Sequence, residues 1–201
     1  MQTFATTAPI AALLDIPAGR VQFIAADRDD TAVDIRPTNP SKSRDVKAAE
    51  DTEVVFTDGV LRIRTSVRNQ LLGASGSVEI TVQLPAGSNV EAKAAAAEFR
   101  GVGRLGDIAF EAAQSDIKID EAANVQLTTQ AGDIEVGRLT GSAELKTEKG
   151  DITVGVAAGL SASLDAGTSY GRVHNALKNS GTPDLNIRAT TAYGDITARS
   201  L

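Results

Sequence analysis

Apolar residues in the second half of this chain recur two positions apart, and the pairs themselves recur about every 17 or 18 residues. Ile108 and Phe110, Val125 and Leu127, Ala143 and Leu145, Ala162 and Leu164, and Ile187 and Ala189 form one series. Ile117 and Ile119, Ile134 and Val136, Ile152 and Val154, and Ile196 and Ala198 form a second, offset series. The residues inside the pairs are mostly polar: Gln126, Glu135, Glu144, Thr153, Arg188 and Thr197. A period of two is that of a strand with one buried face. The pattern predicts strands at 108–110, 117–119, 125–127, 134–136, 143–145 and 152–154.

A corner separates the two series. It reads Thr, two variable residues, Gly, Asp or Arg, then Ile or Val. The copies begin at Thr129, Thr147, Thr168 and Thr191 and place Gly132-Asp133-Ile134, Gly150-Asp151-Ile152, Gly171-Arg172-Val173 and Gly194-Asp195-Ile196 at the bend. Ala112 to Ile117 is a degenerate fifth copy, with Ser115-Asp116 at the bend. From Ile117 through Ile134, Ile152 and Val173 to Ile196 the steps are 17, 18, 21 and 23 residues. A second corner is visible in Val102-Gly103-Arg104-Leu105-Gly106, Val136-Gly137-Arg138-Leu139-Thr140-Gly141 and Val154-Gly155 to Gly159. Repetition at this period marks a solenoid. One coil is a strand, a Gly-Asp corner, a second strand and a Gly corner. Glycine suits bends that need a positive φ or a close backbone approach. Like positions of successive coils should pair in parallel, about 4.8 Å apart, and each coil buries its apolar pairs only against its neighbours.

The alanine-rich run Glu91 to Glu98 has high helix propensity, but the register around it predicts strand. Upstream, candidate strands are Ile10–Ile16, Arg20–Ala25, Thr31–Ile35, Thr52–Phe56, Val60–Arg64 and Ser77–Leu84. Turn signals separate them at Pro17-Ala18-Gly19, Asp27–Asp30, Asp58-Gly59 and Pro85-Ala86-Gly87. The charged run Asn39–Asp51 reads as an exposed loop. The expected architecture is all-β: a single-domain parallel β-solenoid over 1–201, with two strands per coil. Residues 1–85 form an irregular strand-rich cap and early coils. Residues 86–201 form the regular repeats, with lengthened last coils.

Composition narrows the function classes. The net charge is −6 and no basic stripe is present, which argues against a nucleic-acid groove or an anionic membrane surface. Five Phe, two Tyr and no Trp leave little for an extended aromatic platform. The absence of Cys removes disulfides and thiolate metal sites. Residues 1–9 lack a cationic leader, and the apolar stretch Ile10–Leu14 is too short to span a membrane, so a cytoplasmic protein is expected, or one reaching the cell surface by association.

Several of these segments together resemble the bacterial putative-adhesin family, a β-strand-repeat domain of unknown function. They are Ala26-Asp27-Arg28-Asp29-Asp30-Thr31 with Val33 and Ile35-Arg36-Pro37, Gly76-Ser77-Val78 leading to Leu84-Pro85-Ala86-Gly87-Ser88, Gly103-Arg104-Leu105-Gly106, the Gly-Asp-Ile corners, and Tyr170-Gly171-Arg172-Val173-His174-Asn175. They cover nearly the whole chain, as a short member would. The family name implies surface attachment. The resemblance supplies no catalytic residues.

Candidate chemistry is sparse. Asp116, Asp133 and Asp151 should stack on one edge, with Asp195 two coils further on. Such a ladder could hold Ca²⁺, but the stronger reading is that each Asp accepts backbone N–H bonds in its own turn. Asp27, Asp29 and Asp30 are read the same way. His174 is the sole histidine, so neither a catalytic triad nor a zinc site is well supplied. No nucleophile elbow, P-loop or His-Glu-x-x-His motif occurs. Asp165, Arg172 and Arg188 carry no spacing that argues for a lyase or hydrolase site. No enzyme, cofactor or metal is expected. The most distinctive chemistry is late, where Tyr170, Arg172, His174, Asn175 and Tyr193 gather and the coils lengthen through Asn175–Asp184. That region is the expected partner-binding site, for a protein or polymer. Two alternatives stand beside this binding or scaffold role. One is end-to-end self-assembly through an unpaired last strand, Asp195–Leu201. The weaker one is a saccharide-acting enzyme.

Overall fold

The computed structural model describes residues 1–66 and 76–201. Its strands join into one hydrogen-bonded sheet wound as a solenoid. Two 16-residue strands, β2 (Ala11–Ala26) and β7 (Asn89–Arg104), run unbroken around a corner and lie in parallel register from Ala11↔Asn89 to Ile24↔Val102. The alanine-rich run is therefore strand, as its register requires. Pro17-Ala18-Gly19 is no turn: the two strands expected on either side of it are one. Gly19 lies beside Ala97, and a Cβ on it would sit 1.9 Å from the Val78 carbonyl oxygen.

Below β7 the coils follow in parallel. One face carries β8 (Ile108–Gln114), β10 (Val125–Ala131) and β12 (Ala143–Lys146). The other carries β9 (Ile117–Ala122), β11 (Ile134–Leu139) and β13 (Ile152–Val156). All six expected strands lie within these elements, in the expected register. Every apolar pair among them is buried, and Phe99 packs between Phe23 and Phe110 with tilted rings at centroid distances of 5.8 and 4.7 Å. Glu135, Glu144 and Thr153 alternate outward, as the period of two demands.

The last two coils are not in sequence order. After β13 the chain forms β14 (Ala162–Tyr170) and β15 (Val173–Ala176), then β16 (Leu185–Tyr193) and β17 (Ile196–Ser200). β16 lies between β12 and β14, and β17 lies between β13 and β15. The chain thus skips one layer, lays down the outermost coil, and returns to fill the gap. The lengthened steps are this return. The last strand has a partner on both sides, so the open edge expected at Asp195–Leu201 does not exist there. Among the described residues, the open edges at this end belong to β14 and β15.

The N-terminal end is built differently. β5 (Val60–Thr65) and β6 (Val78–Pro85) form a layer above β2 in parallel. Antiparallel strands follow: β4 (Thr52–Thr57) on β5, β3 (Asp30–Pro37) on β6, and β1 (Gln2–Ala5) on β3. The rings of Phe4 and Phe56 meet at 5.3 Å across this end. The run read as a loop, Asn39–Asp51, contains a helix, α1 (Ser43–Glu50). It has no Gly or Pro within it and several good helix formers. Ala48 and Ala49 pack on the core, and the buried Asp45 carboxylate accepts the Ser77 N–H at 3.1 Å. Its mostly charged residues disguise this narrow apolar side.

The corner glycines fix the coil spacing. A Cβ on Gly150 would lie 2.1 Å from the Gly132 carbonyl oxygen, whereas one on Gly167 would meet nothing within 4 Å. Gly150→Ala should lower stability by about 2–4 kcal/mol, a fall of at least about 5 °C in melting temperature, while Gly167→Ala should leave it unchanged or slightly raised. Equal melting points for the two variants would contradict the close-approach account.

Candidate functional site

The corner carboxylates do not serve their own turns. Asp116 Oδ1 accepts the backbone N–H of Asp133 at 3.1 Å, Asp133 Oδ1 that of Asp151 at 2.8 Å, and Asp151 Oδ1 that of Asp195 at 2.7 Å. Each Asp thus reaches one coil onward. Asp195 lies directly on Asp151, not two coils away, because its coil is inserted there. Asp195 Oδ1 in turn accepts the Arg172 N–H at 2.8 Å, and the Arg172 guanidinium closes on Asp195 Oδ2 at 3.2 Å. The outermost coil has no following N–H to receive, and its corner residue is Arg. The inward threonines form a companion ladder: Thr147, Thr191 and Thr168 Oγ1 donate to the carbonyls of Gly132, Gly150 and Gly194.

A second polar ladder runs along the strand starts, where Asn89, Asp107, Asn124, Ser142, Asn186 and Ser163 follow one another at hydrogen-bond distance. Each directly precedes an apolar pair, at the same period as the corners; for Ser163 the pair is Leu164 and Ala166, which lie beside Ile187 and Ala189, so the pair expected at Ala162 and Leu164 is two residues out of register. A shallow groove of about 810 Å³ crosses the outer face beside this ladder, past Glu91, Gln126, Glu144, Arg188 and Asp165. Arg188 pairs with Asp165 at 3.3 Å, while Arg172 belongs to the Asp195 corner, so the three do not cluster.

The predicted late residues all sit on the two outermost coils. Tyr170 and Tyr193 are register partners, and their rings stack at 4.9 Å with an interplanar angle of 4°. That separation matches the coil spacing, so the stack runs along the solenoid axis and the free face of Tyr170 looks past the last coil. Both rings are exposed, at 67% and 57%. Arg172 lies two residues beyond Tyr170, at the corner. His174 lies on β15 next to Thr197, exposed. Asn175 occupies a core-facing position, beside buried Ala198, but in the outermost coil it is exposed and its Oδ1 accepts the Leu177 N–H at 3.0 Å. Val173, a neighbour the motif reading did not single out, is likewise core-facing in register yet 43% exposed. The segment 177–184 covers only the start of β14: Ala162 N–H donates to Lys178 O, Ser180 N–H to Ser161 Oγ, and Ser161 N–H to Asp184 Oδ2.

Residues 104–200 match the family model named Toastrack DUF4097. A solved structure of a putative cell adhesion protein from Clostridium sporogenes is 12% identical, covers 100% of this chain and 98% of its own, and superposes with a TM-score of 0.50. A putative adhesin from Bacteroides fragilis is 14% identical over 98% of this chain and 95% of its own, with a TM-score of 0.49. No curated protein matches the sequence. The resemblance drawn from the sequence motifs is borne out as a likeness: residues 104–200 are similar to this β-repeat family of unknown function, and the fold is shared with the Clostridium sporogenes structure. Among the described residues, no helix is long and apolar enough to cross a membrane.

Two expectations follow from the corner geometry. The Arg172 N–H, before the guanidinium charge, holds the Asp195 carboxyl below the ordinary aspartate value. A lowered native value means stabilisation that is complete above the unfolded pKa, about 3.9, and lost as pH falls through the native one. The gap in melting temperature between the wild type and Asp195→Asn should therefore narrow as pH falls from about 5 to about 2. Parallel curves would contradict this. In each of Asp116, Asp133 and Asp151 one oxygen is already engaged by the next coil, so micromolar Ca²⁺ should leave the melting temperature where a chelator leaves it. A rise of several degrees would contradict that assignment.

Proposed function

We propose that this chain is a non-catalytic binding or scaffold module that meets its partner through the two outermost coils at the C-terminal end, around Tyr170, Arg172, His174, Asn175 and Tyr193. One observation carries the reading. The two tyrosines form an exposed stack of parallel rings at the open end, where aromatic and Arg side chains are suited to anchor an interface. The middle coils turn Glu135, Glu144, Lys146 and Thr153 outward, which solvate well and anchor poorly. The adhesion-related name of the Clostridium sporogenes structure agrees with a binding role. A saccharide-acting site has less support, because Arg172 and Arg188 each pair with a carboxylate in different places.

The regions can be compared directly. Replacing Tyr193 and Arg172 with Ala, and separately Glu135 and Lys146 with Ala, gives two variants for one pull-down or self-association assay. The C-terminal pair should lose at least about tenfold in affinity and the mid-coil pair less than about twofold, with both folded. Loss in the mid-coil pair alone would refute the assignment.

A further inference from the structure

We infer that the partner of the outermost coil is a second copy of this chain, joined tail to tail across a two-fold axis into a closed dimer. The inference rests on the reading of that coil as the contact surface and names what it contacts.

Four observations carry it. First, both strands of the last coil end at one level, except where the segment 177–184 crosses the start of β14. β14 and β15 belong to one coil, and each has a partner on one side only among the described residues. Ala162 donates its N–H to Lys178, away from β16. By the alternation of a strand, Leu164 and Ala166 turn their backbone groups to the same free side. Such edges pair with other strands unless something blocks them.

Second, the chain stops parallel growth itself. Every inner corner offers a carboxylate to the next coil, but the outermost corner offers Arg172, whose N–H and guanidinium are already committed to Asp195. A further parallel coil would find no acceptor. An antiparallel neighbour needs none. β14 and β15 lie on opposite faces of one coil and run in opposite directions. A two-fold copy therefore presents an antiparallel strand to both edges at once.

Third, the two ends of the molecule do not fit each other. Among the described residues, the N-terminal end rises above β2 by two layers on one face, through β5 and β4, and by three on the other, through β6, β3 and β1. That step of about 4.8 Å does not match the level C-terminal end. Head-to-tail stacking, which would build filaments, is disfavoured, and an isologous contact is not.

Fourth, the end is uncharged overall and incompletely covered. Residues 160–184 carry Asp165, Asp184, Arg172 and Lys178, a formal sum of zero, so the rest of the chain holds the whole −6. Two such ends approach without net repulsion. Leu164, Ala166 and Leu177 are only partly buried, and Val173 is exposed. A nine-residue strand gives a face about 30 Å long, and two layers give it a width on the order of 20 Å, at the small end of stable interfaces.

Sedimentation velocity on the full chain over a wide concentration range tests this. The expected limiting species is twice 20.8 kDa. Val173→Lys puts a charge on the free edge, and Ala166→Pro removes an edge donor without touching a bond to β16. Each should weaken the dimer at least about tenfold, with circular dichroism and melting unchanged. Val55→Lys, on exposed β4 at the other end, should not. If the wild type stays monomeric while the Tyr193 and Arg172 variant still loses a host partner, the inference fails and the contact reading stands. Growth beyond two copies also overturns it. A dimer indifferent to Val173→Lys and Ala166→Pro overturns both.

Discussion

The fold depends on one repeated contact. At Gly132, Gly150, Gly171 and Gly194 a backbone carbonyl approaches so closely that a Cβ would overlap it, and the corner carboxylates of Asp116, Asp133, Asp151 and Asp195 each take an N–H of the following coil. The glycine sets the spacing and the carboxylate sets the register. With both fixed, Ile134 must lie over Ile117 and Ile152 over Ile134, so the interior becomes columns of like residues. A slip by one position would turn every inward residue to solvent. The threonines serve the same corner from inside by covering the glycine carbonyls. No buried side-chain nitrogen or oxygen among the described residues lacks a partner.

The same contact decides where the stack ends. The inserted coil, 185–200, keeps the Asp and passes the relay on. The coil at 162–176 receives it and carries Arg. By placing its penultimate coil outermost, the chain buries its last strand and exposes Tyr170, Val173 and His174 instead. A region that would otherwise be one more turn of the repeat becomes a surface with its own chemistry. It holds a stacked aromatic pair, an ion pair and two strand edges at one end. The opposite end is closed by antiparallel strands, a helix and the Phe4–Phe56 contact.

The regular coils were legible because their signal is local and repeated. Apolar pairs, Gly-Asp corners and the strand reading of Glu91–Glu98 all follow from period alone. Coil order was not legible. Parallel coils with the same corner present nearly the same surface to any neighbour, so adjacency in sequence says little about adjacency in the stack. The substitution of Arg172 for Asp was the one mark of an end, and its meaning depends on knowing that the carboxylate reaches onward. The helix at Ser43–Glu50 was hidden because its apolar side is only alanine and valine. The late residues were legible as a group, but composition could not show that two tyrosines 23 positions apart stack ring on ring.

Every functional statement rests on the 185–200 coil lying between 143–156 and 162–176. Engineered cysteine pairs test this directly, since the chain has no cysteine of its own. Thr197 lies beside Thr153 on one side and His174 on the other. Adjacent strands lie about 4.8 Å apart, within reach of a disulfide, and strands two layers apart, at about 9.6 Å, are beyond it. Under oxidising conditions Thr153→Cys with Thr197→Cys should close in nearly all molecules, and Thr153→Cys with His174→Cys should not. Closure of the second pair without the first would mean that the coils follow sequence order, and the account of the open end would be wrong.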